Sequence, residues 1–306
     1  MLSVSGVRIG WTEVPDRVRR AVEEILGAPI TAAAKQPGGF SPGTADRVLT
    51  ADGRRAFVKA VGSALNTRSV EMARAEAHIV RYLPEEAPTP RLLGTYDDGD
   101  WVALVFEDVD GRHPRTPWED DELDAAVAAL HRLATTLTPA PVPGVARTAD
   151  LLGPDFAGWS DIAAAPPADL PPWVVAHLGD LQEAATRGLA AIATGDTLTH
   201  CDIRSDNLLV RPDGRIVVVD WPWGSTGPPW LDRVLLAMNV VVHGGDGDRA
   251  LTGIDPGTAV DVITGLAGYF HRQGRLPPPP SLPTVRAFQR AQADALLPWL
   301  RVRHGW

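Results

Sequence analysis

The chain has almost no cysteine. Cys201 is the only one among 306 residues, so no disulfide can form within the chain, and a cysteine-rich zinc site has no ligands to draw on. Lysine is nearly as scarce: Lys35 and Lys59 are the only two, and Arg supplies every other side-chain cation. No apolar run is long enough to span a bilayer. The opening MLSVSGVRIGWTEVP lacks a basic segment leading into an apolar one, so no secretory leader is expected and the cytoplasm is the expected location. A formal net charge of −9 speaks against non-specific nucleic-acid binding. No internal repeat is visible. What is present is an apolar content of 44%, enough core for one large or two modest domains. The acid excess is uneven: residues 1–107 hold 14 acids against 13 Lys and Arg, and residues 108–306 hold 24 against 16.

Periodicity divides the chain in two. Residues 15–27 carry Val18, Val22, Ile25 and Leu26 at helical spacing. Pro37, Gly38, Gly39, Pro42 and Gly43 then break any helix, and ADGRR reads as a hairpin turn between TADRVLT and RAFVKAV. A helix is expected over 69–83, then two strands around the turn at 97–100. After Gly111 helices dominate, over 121–137, 173–193, 231–243, 258–272 and 283–301. The acidic start EDDELD of the first of these is favourable charge at a helix N-terminus before it is anything else. The expected class is α+β: a small sheet lobe (1–107), then a mostly helical lobe (108–306), with a cleft between them as the usual place for a ligand.

The densest chemistry lies in LTHCDIRSDNLLVRPDGRIVVVDWPWG, residues 198–224. LLV and RIVVVD read as strands around the turn RPDG. A turn centred near Asp213–Gly214 sets Asn207 opposite Asp220. An Asn oxygen and a carboxylate are hard ligands suited to Mg2+, which keeps waters and shares itself with phosphates. Taken singly, each of these residues would pass for a turn residue. Together, His200, Asp202 and Asn207 spell His-x-Asp-x-x-x-x-Asn, with Asp220 after the next strand.

That spacing resembles the catalytic loop and metal-binding Asp of the protein-kinase-like superfamily. THCDIRSDNLLV and VVVDWPWG are more closely similar to the aminoglycoside phosphotransferase family of small-molecule kinases, over most of the chain. The resemblance implies a bilobal protein-kinase-like fold and ATP with Mg2+. It implies a phosphate-binding lysine on a small-lobe strand, which Lys59 fits. Its glutamate partner lies on the next helix, where Glu76 falls in the apolar stripe of Met72, Ile79 and Leu83; Glu71 competes but lies off the stripe. A loop over the phosphates matches PGGFSPGT, with Gly38, Gly39, Phe40 and Ser41. The hinge that binds adenine through its backbone matches VFEDVDG, around Glu107 and Val109. Asp202 becomes the base that takes the acceptor's proton, and Asn207 and Asp220 the metal ligands. Arg204 is either a γ-phosphate contact or a partner for Asp206. Asp232 is expected to brace the catalytic loop.

The sequence departs from protein kinases after Asp220, where WPWG replaces Phe-Gly and no activation segment fits before WLDRVLLAMNV. The implied partner is a small-molecule hydroxyl acceptor. The acidic second lobe suits a cationic one such as an aminoglycoside, though the same charge also serves solubility. Kinases of choline, an amino sugar, homoserine or another antibiotic remain alternatives, as does a pseudokinase-like nucleotide-binding module. A metal-dependent hydrolase built on the Asp cluster would leave Lys59 and the small sheet without a role.

Overall fold

The structure, a computed structural model, describes residues 8–39, 41–279 and 282–306. Helix α1 (Asp16–Leu26) leads into strands β1 (Ile30–Lys35), β2 (Thr44–Thr50) and β3 (Arg55–Gly62). Helix α2 (Thr67–Val80) follows, then strands β4 (Leu92–Asp97) and β5 (Trp101–Glu107). The five strands form one antiparallel sheet in the order β1-β2-β3-β5-β4.

The two-residue period of the strands decides which side chains reach the cleft. In β3, Ala56, Val58 and Ala60 face Val18, Val22 and Leu26 of α1, joined by Ala103 and Val105 of β5. Phe57 and Lys59 take the opposite face and line the cavity between the lobes. With α1 on one side and α2 on the other, this sheet has no solvent face at β3. A lysine that would elsewhere mark a wet surface therefore points inward.

Beyond Glu107 the chain is mainly helical. Helices α3 (Asp120–Thr136), α4 (Thr148–Phe156), α5 (Gly158–Ala164), α6 (Pro172–Ala176) and α7 (Leu178–Ile192) come first. Four short strands follow, β6 (Thr197–Thr199), β7 (Leu208–Val210), β8 (Ile216–Val218) and β9 (Ser225–Gly227), paired as β6-β9 and β7-β8. Helices α8 (Leu231–Val242), α9 (Asp248–Leu251), α10 (Pro256–Gln273) and α11 (Val285–His304) complete the lobe. Helix α8 is buried along nearly its whole length, as an all-round apolar helix must be. The lobe's core gathers Leu130 and Leu133 of α3, Leu181 of α7, Val234 of α8, Ile263 of α10 and Leu296 of α11. Among the described residues no helix is long and apolar enough to cross a membrane.

Two expectations needed correction here. The stretch between 137 and 173, to which no helix is assigned from the sequence, contains α4 and α5. The single helix over 173–193 is broken at His177, which leaves helical geometry (φ −112°) and bonds Asp180 through Nδ1 at 2.7 Å.

Candidate active site

A cavity of about 1010 Å3 separates the sheet from the helical lobe. At its centre Lys59 Nζ donates to Glu76 Oε1 (2.7 Å), Glu76 Oε2 (2.9 Å) and Asp220 Oδ1 (2.6 Å). Three elements supply this cluster: β3, α2 and the turn after β8. Glu76 is 4% exposed and also accepts from Trp221 N at 3.3 Å. Its competitor Glu71 is exposed and pairs with Arg68 at 3.1 Å. Burial pulls the Lys59 ammonium down, but Asp220 and Glu76 outweigh it and hold it up at about 12. Lys59 is therefore charged at any pH the fold meets.

Across the cavity the loop after β6 presents Asp202. Arg204 Nη1 donates to both Asp202 oxygens (3.0 and 3.2 Å), while its Nε and Nη2 reach Asp206 (both 2.9 Å). The pairing of Arg204 with Asp206 that the sequence offered is present, and the same guanidinium also grips Asp202, which was not expected; its planar fork suits two carboxylates at once. Burial pushes the Asp202 carboxyl up to about 6, with Arg204 opposing and Asp220 adding to the rise. Such a carboxylate is ionised at neutral pH yet more basic than an exposed one.

The loop is held by buried polar bonds. His200 N and Cys201 N donate to Asp232 Oδ2 (2.8 Å) and Oδ1 (3.0 Å) at the start of α8. Burial drives the His200 imidazole down to about 4, so it is neutral. Its Nε2 then carries the proton toward Val219 O (3.0 Å), and its Nδ1 accepts from Asp202 N (3.2 Å). Asn239 of α8 adds an oxygen shared by Trp118 Nε1 (3.1 Å) and Ser205 N (3.3 Å). This bracing holds Cys201 at φ 63°, a left-handed conformation that costs a non-glycine residue energy unless its surroundings over-determine it. Asp232→Ala should leave two buried N–H groups unpaired and cost about 2–3 kcal/mol. Chemical denaturation of the purified variant checks this, and an unchanged midpoint would remove Asp232 as the brace.

The hairpin register differs from the expected one. Leu208 pairs Val218 and Val210 pairs Ile216, so Asn207 stands opposite Val219, whose N donates to Asn207 O at 3.0 Å. The turn is centred on Asp213, with Gly214 N bonded to Arg211 O. Asp220 lies one residue past the pairing, and a one-residue shift would ordinarily send its side chain to the other face. Its left-handed φ of 71° ends the strand there, and the carboxylate meets Lys59. Asn207 Nδ2 donates to Asp202 O (2.8 Å) and Oδ2 (3.0 Å), which leaves its amide oxygen as the atom able to ligate a cation. Among the described residues no group of three or more His, Cys, Asp or Glu is placed to hold a metal. An Asn oxygen and one carboxylate instead fit Mg2+, which binds few protein ligands and completes its shell with water and phosphate.

The glycine loop lies over the same cavity. Gly38 and Gly39 are left-handed (φ 88° and 77°), and a Cβ on Gly39 would collide with the Arg8 guanidinium at 2.0 Å. Ser41 also lines the cavity, while Phe40 lies outside the described residues. Arg8 was not foreseen. It stands in the field of Asp220 and Asp46, and its buried Nε has no partner among the described residues. Nothing in its sequence surroundings marks it, because only chain reversal through β1 and β2 brings it to the loop.

At the hinge, Arg47 Nη2 donates to Val109 O (2.9 Å) and Gly111 O (3.2 Å). Asp108 is held between Arg47 and Arg55 (3.1 and 2.7 Å). Glu107 N is spent on Arg91 O at 3.0 Å. Val109 N has no partner among the described residues.

The far end of the cavity, beyond Asp202, was also unforeseen. It is walled by Leu152 of α4, Leu266 and Phe270 of α10, and Val285 and Phe288 of α11, with Asp155 of α4 among them. A signal existed for Asp155: Leu151, Leu152 and Phe156 make an apolar stripe at helical spacing, with a carboxylate inside it as with Glu76. Pro154 inside α4 is a residue that ordinarily argues against a helix.

The model of the Phosphotransferase enzyme family (APH) matches residues 37–269. No curated protein sequence matches the chain. Among solved structures it is similar to a thermostable mutant of aminoglycoside phosphotransferase APH(4)-Ia in complex with ADP and hygromycin B, at 14% identity and a TM-score of 0.57, covering 91% of this chain and 97% of that one. It is similar to choline kinase LicA from Streptococcus pneumoniae, at 15% identity and a TM-score of 0.57, covering 92% and 98%. It is likewise similar to amicoumacin kinase hAmiN in complex with AMP-PNP, Ca2+ and Ami, at 14% identity and a TM-score of 0.55, covering 86% and 88%. With sheet lobe, helical lobe and family match in agreement, the chain belongs to the aminoglycoside phosphotransferase family and is a small-molecule kinase of the protein-kinase-like fold.

Proposed function

We propose that the protein transfers the γ-phosphoryl group of ATP to a hydroxyl of a small molecule with Mg2+, in the cytoplasm, and that its lobes divide at residues 107/108. The observation that carries this is the shared Lys59 bridge between Glu76 and Asp220, facing Asp202 and Asn207 across one cavity. Lys59 binds the α- and β-phosphates while Glu76 keeps its ammonium in place. Gly38, Gly39 and Ser41 offer backbone N–H groups to phosphate oxygens, and Arg8 adds a cation there. Val109 N–H is the free hinge donor for adenine. Asn207 and Asp220 hold Mg2+, which when bound neutralises charge on the phosphates.

Asp202 orients the acceptor hydroxyl and takes its proton as the oxygen attacks the γ-phosphorus in line. The bond from phosphorus to the bridging oxygen breaks and ADP leaves. Arg204 fixes the carboxylate's orientation through its second grip on Asp206. Positioning and charge neutralisation supply most of the acceleration in a loose transition state. Hygromycin B bound in one similar structure, and the naming of another as a choline kinase, support an acceptor bearing both hydroxyl and cation, and an aminoglycoside or related cationic antibiotic is the first class that the family suggests.

Asn207→Ala and Asp220→Ala should each raise the Mg2+ concentration needed for half-maximal activity several-fold, because each removes one of two protein ligands. Titrating Mg2+ at fixed ATP, with an acceptor found by an ATP-consumption screen, reads this directly. An unchanged requirement in both variants would place the metal elsewhere.

A further inference from the structure

The far end of the cavity sorts the acceptor classes. The seven carboxylates lining the cavity are not equally available. Glu76 and Asp220 are committed to Lys59, and Asp202 and Asp206 to Arg204. Asp108 is held by Arg47 and Arg55, and Glu107 faces Arg91 at 4.0 Å. Asp155 alone has no hydrogen bond or ion pair among the described residues. Burial pushes its carboxyl up to about 6, and Arg272, the cation opposing that rise, is ion-paired with Asp161 at 2.7 Å. Asp155 is thus a half-buried carboxylate that lines the cavity with no side-chain partner among the described residues. It also stands near the chemistry: the Tyr269 hydroxyl, bonded to Gln289 at 3.2 Å, feels both Asp155 and Asp202.

Most of the cavity lining is hydrocarbon. Leu152, Leu266, Phe270, Val285 and Phe288 share that lining with Asp155, together with the uncharged polar groups of Tyr269, Gln289 and Gln292. The acid excess of the helical lobe does not line this end. Most of its acids lie outside the cavity, some in ion pairs such as Arg187–Asp261 and Arg275–Asp169. A ligand with many ammonium groups would have to set most of them against hydrocarbon, where an unpaired charge is unfavourable.

Taking the phosphotransferase reading as given, we propose that the acceptor is a predominantly apolar hydroxyl compound with a single amino group. The amine binds Asp155, the apolar body fills the wall of α4, α10 and α11, and the hydroxyl reaches Asp202. A polycationic aminoglycoside is then a poor acceptor, although the family is named for such substrates.

Calorimetric titration of the full chain with Mg2+ and AMP-PNP tests this. Probes are aryl and alkyl amino alcohols (phenylalaninol and 2-amino-1-octanol), their deaminated counterparts, and kanamycin. At least one amino alcohol is expected to bind tenfold or more tightly than both kanamycin and its own deaminated form. Asp155→Asn should abolish the advantage of the amine and leave binding of the deaminated alcohol unchanged. Because this variant removes an unpaired, half-buried charge, its melting temperature should hold or rise. Kanamycin binding as tightly as the amino alcohols would overturn the proposal. So would an amine advantage that survives in Asp155→Asn, or failure of every amino alcohol to bind. Binding of AMP-PNP itself, measured first, separates the outcomes: its absence removes the phosphotransferase reading, whereas its presence confines a failure to the acceptor class.

Discussion

Replacing Asp202 by Asn should lower turnover by about 10²–10⁴ and change nucleotide affinity by no more than a few-fold. Asn is nearly isosteric with Asp and can still accept from Arg204, so the loop should keep its shape. What disappears is the carboxylate that accepts the proton, and with it part of the orientation of the hydroxyl. The expected loss corresponds to about 2.7–5.5 kcal/mol of transition-state stabilisation. Nucleotide affinity is spared because the phosphates are assigned to Lys59 and the glycine loop, which Asp202 does not touch. Steady-state kinetics with an identified acceptor, beside calorimetric titration of AMP-PNP, would measure both quantities. Near wild-type turnover in this variant would mean that another group takes the proton.

At Lys59 two substitutions should fail for different reasons. Lys59→Ala leaves Glu76 buried with only Trp221 N to bond, and breaking a buried pair by removing one partner costs about 3–5 kcal/mol. Protonation of Glu76 would recover part of that cost, which places the expected loss of stability toward the lower end. Lys59→Arg keeps the charge but not the geometry. The ammonium serves three carboxylate oxygens between 2.6 and 2.9 Å from one nitrogen, which a longer planar guanidinium cannot reproduce. This variant should stay folded while kcat/KM for ATP falls at least about tenfold, or about 1.4 kcal/mol. Melting temperature and kinetics of both variants decide the matter. A fully active Lys59→Arg protein would show that the bridge to Glu76 and Asp220 has no bearing on phosphate binding.

Much of this was legible in the residues alone, for local reasons. A glutamate inside an apolar helical stripe shows from the helical period alone, whereas its pairing with Lys59 came from the family resemblance, since a strand lysine by itself reads as solvent-facing. The spacing of His200, Asp202, Asn207 and Asp220 encodes a loop and hairpin whose length is set by the chain itself. Even the brace from Asp232 could be anticipated, because a carboxylate at the start of a buried helix must find donors. The hairpin register escaped by one residue because a turn such as RPDG can centre on Asp213 or beside it, and only the backbone bonds settle which.

The rest depended on how distant segments meet. Arg8 and Gly39 are neighbours only because β1 and β2 reverse the chain over the cleft. The double grip of Arg204 on Asp202 and Asp206 is a matter of rotamers within a packed loop. The far wall of the cavity brings α4 (148–156) against α10 (256–273) and α11 (285–304), segments distant in the chain, and the acid excess in the sequence says nothing about where in space the acids point. Composition suggested a cationic acceptor. Packing left the Asp155 side chain without a partner among the described residues, while each of the other acids lining the cavity has a cation within reach. Local pattern and spacing therefore mark the elements that carry Lys59, Glu76, Asp202, Asn207 and Asp220, whereas the wall of α4, α10 and α11 exists only once the helices have packed.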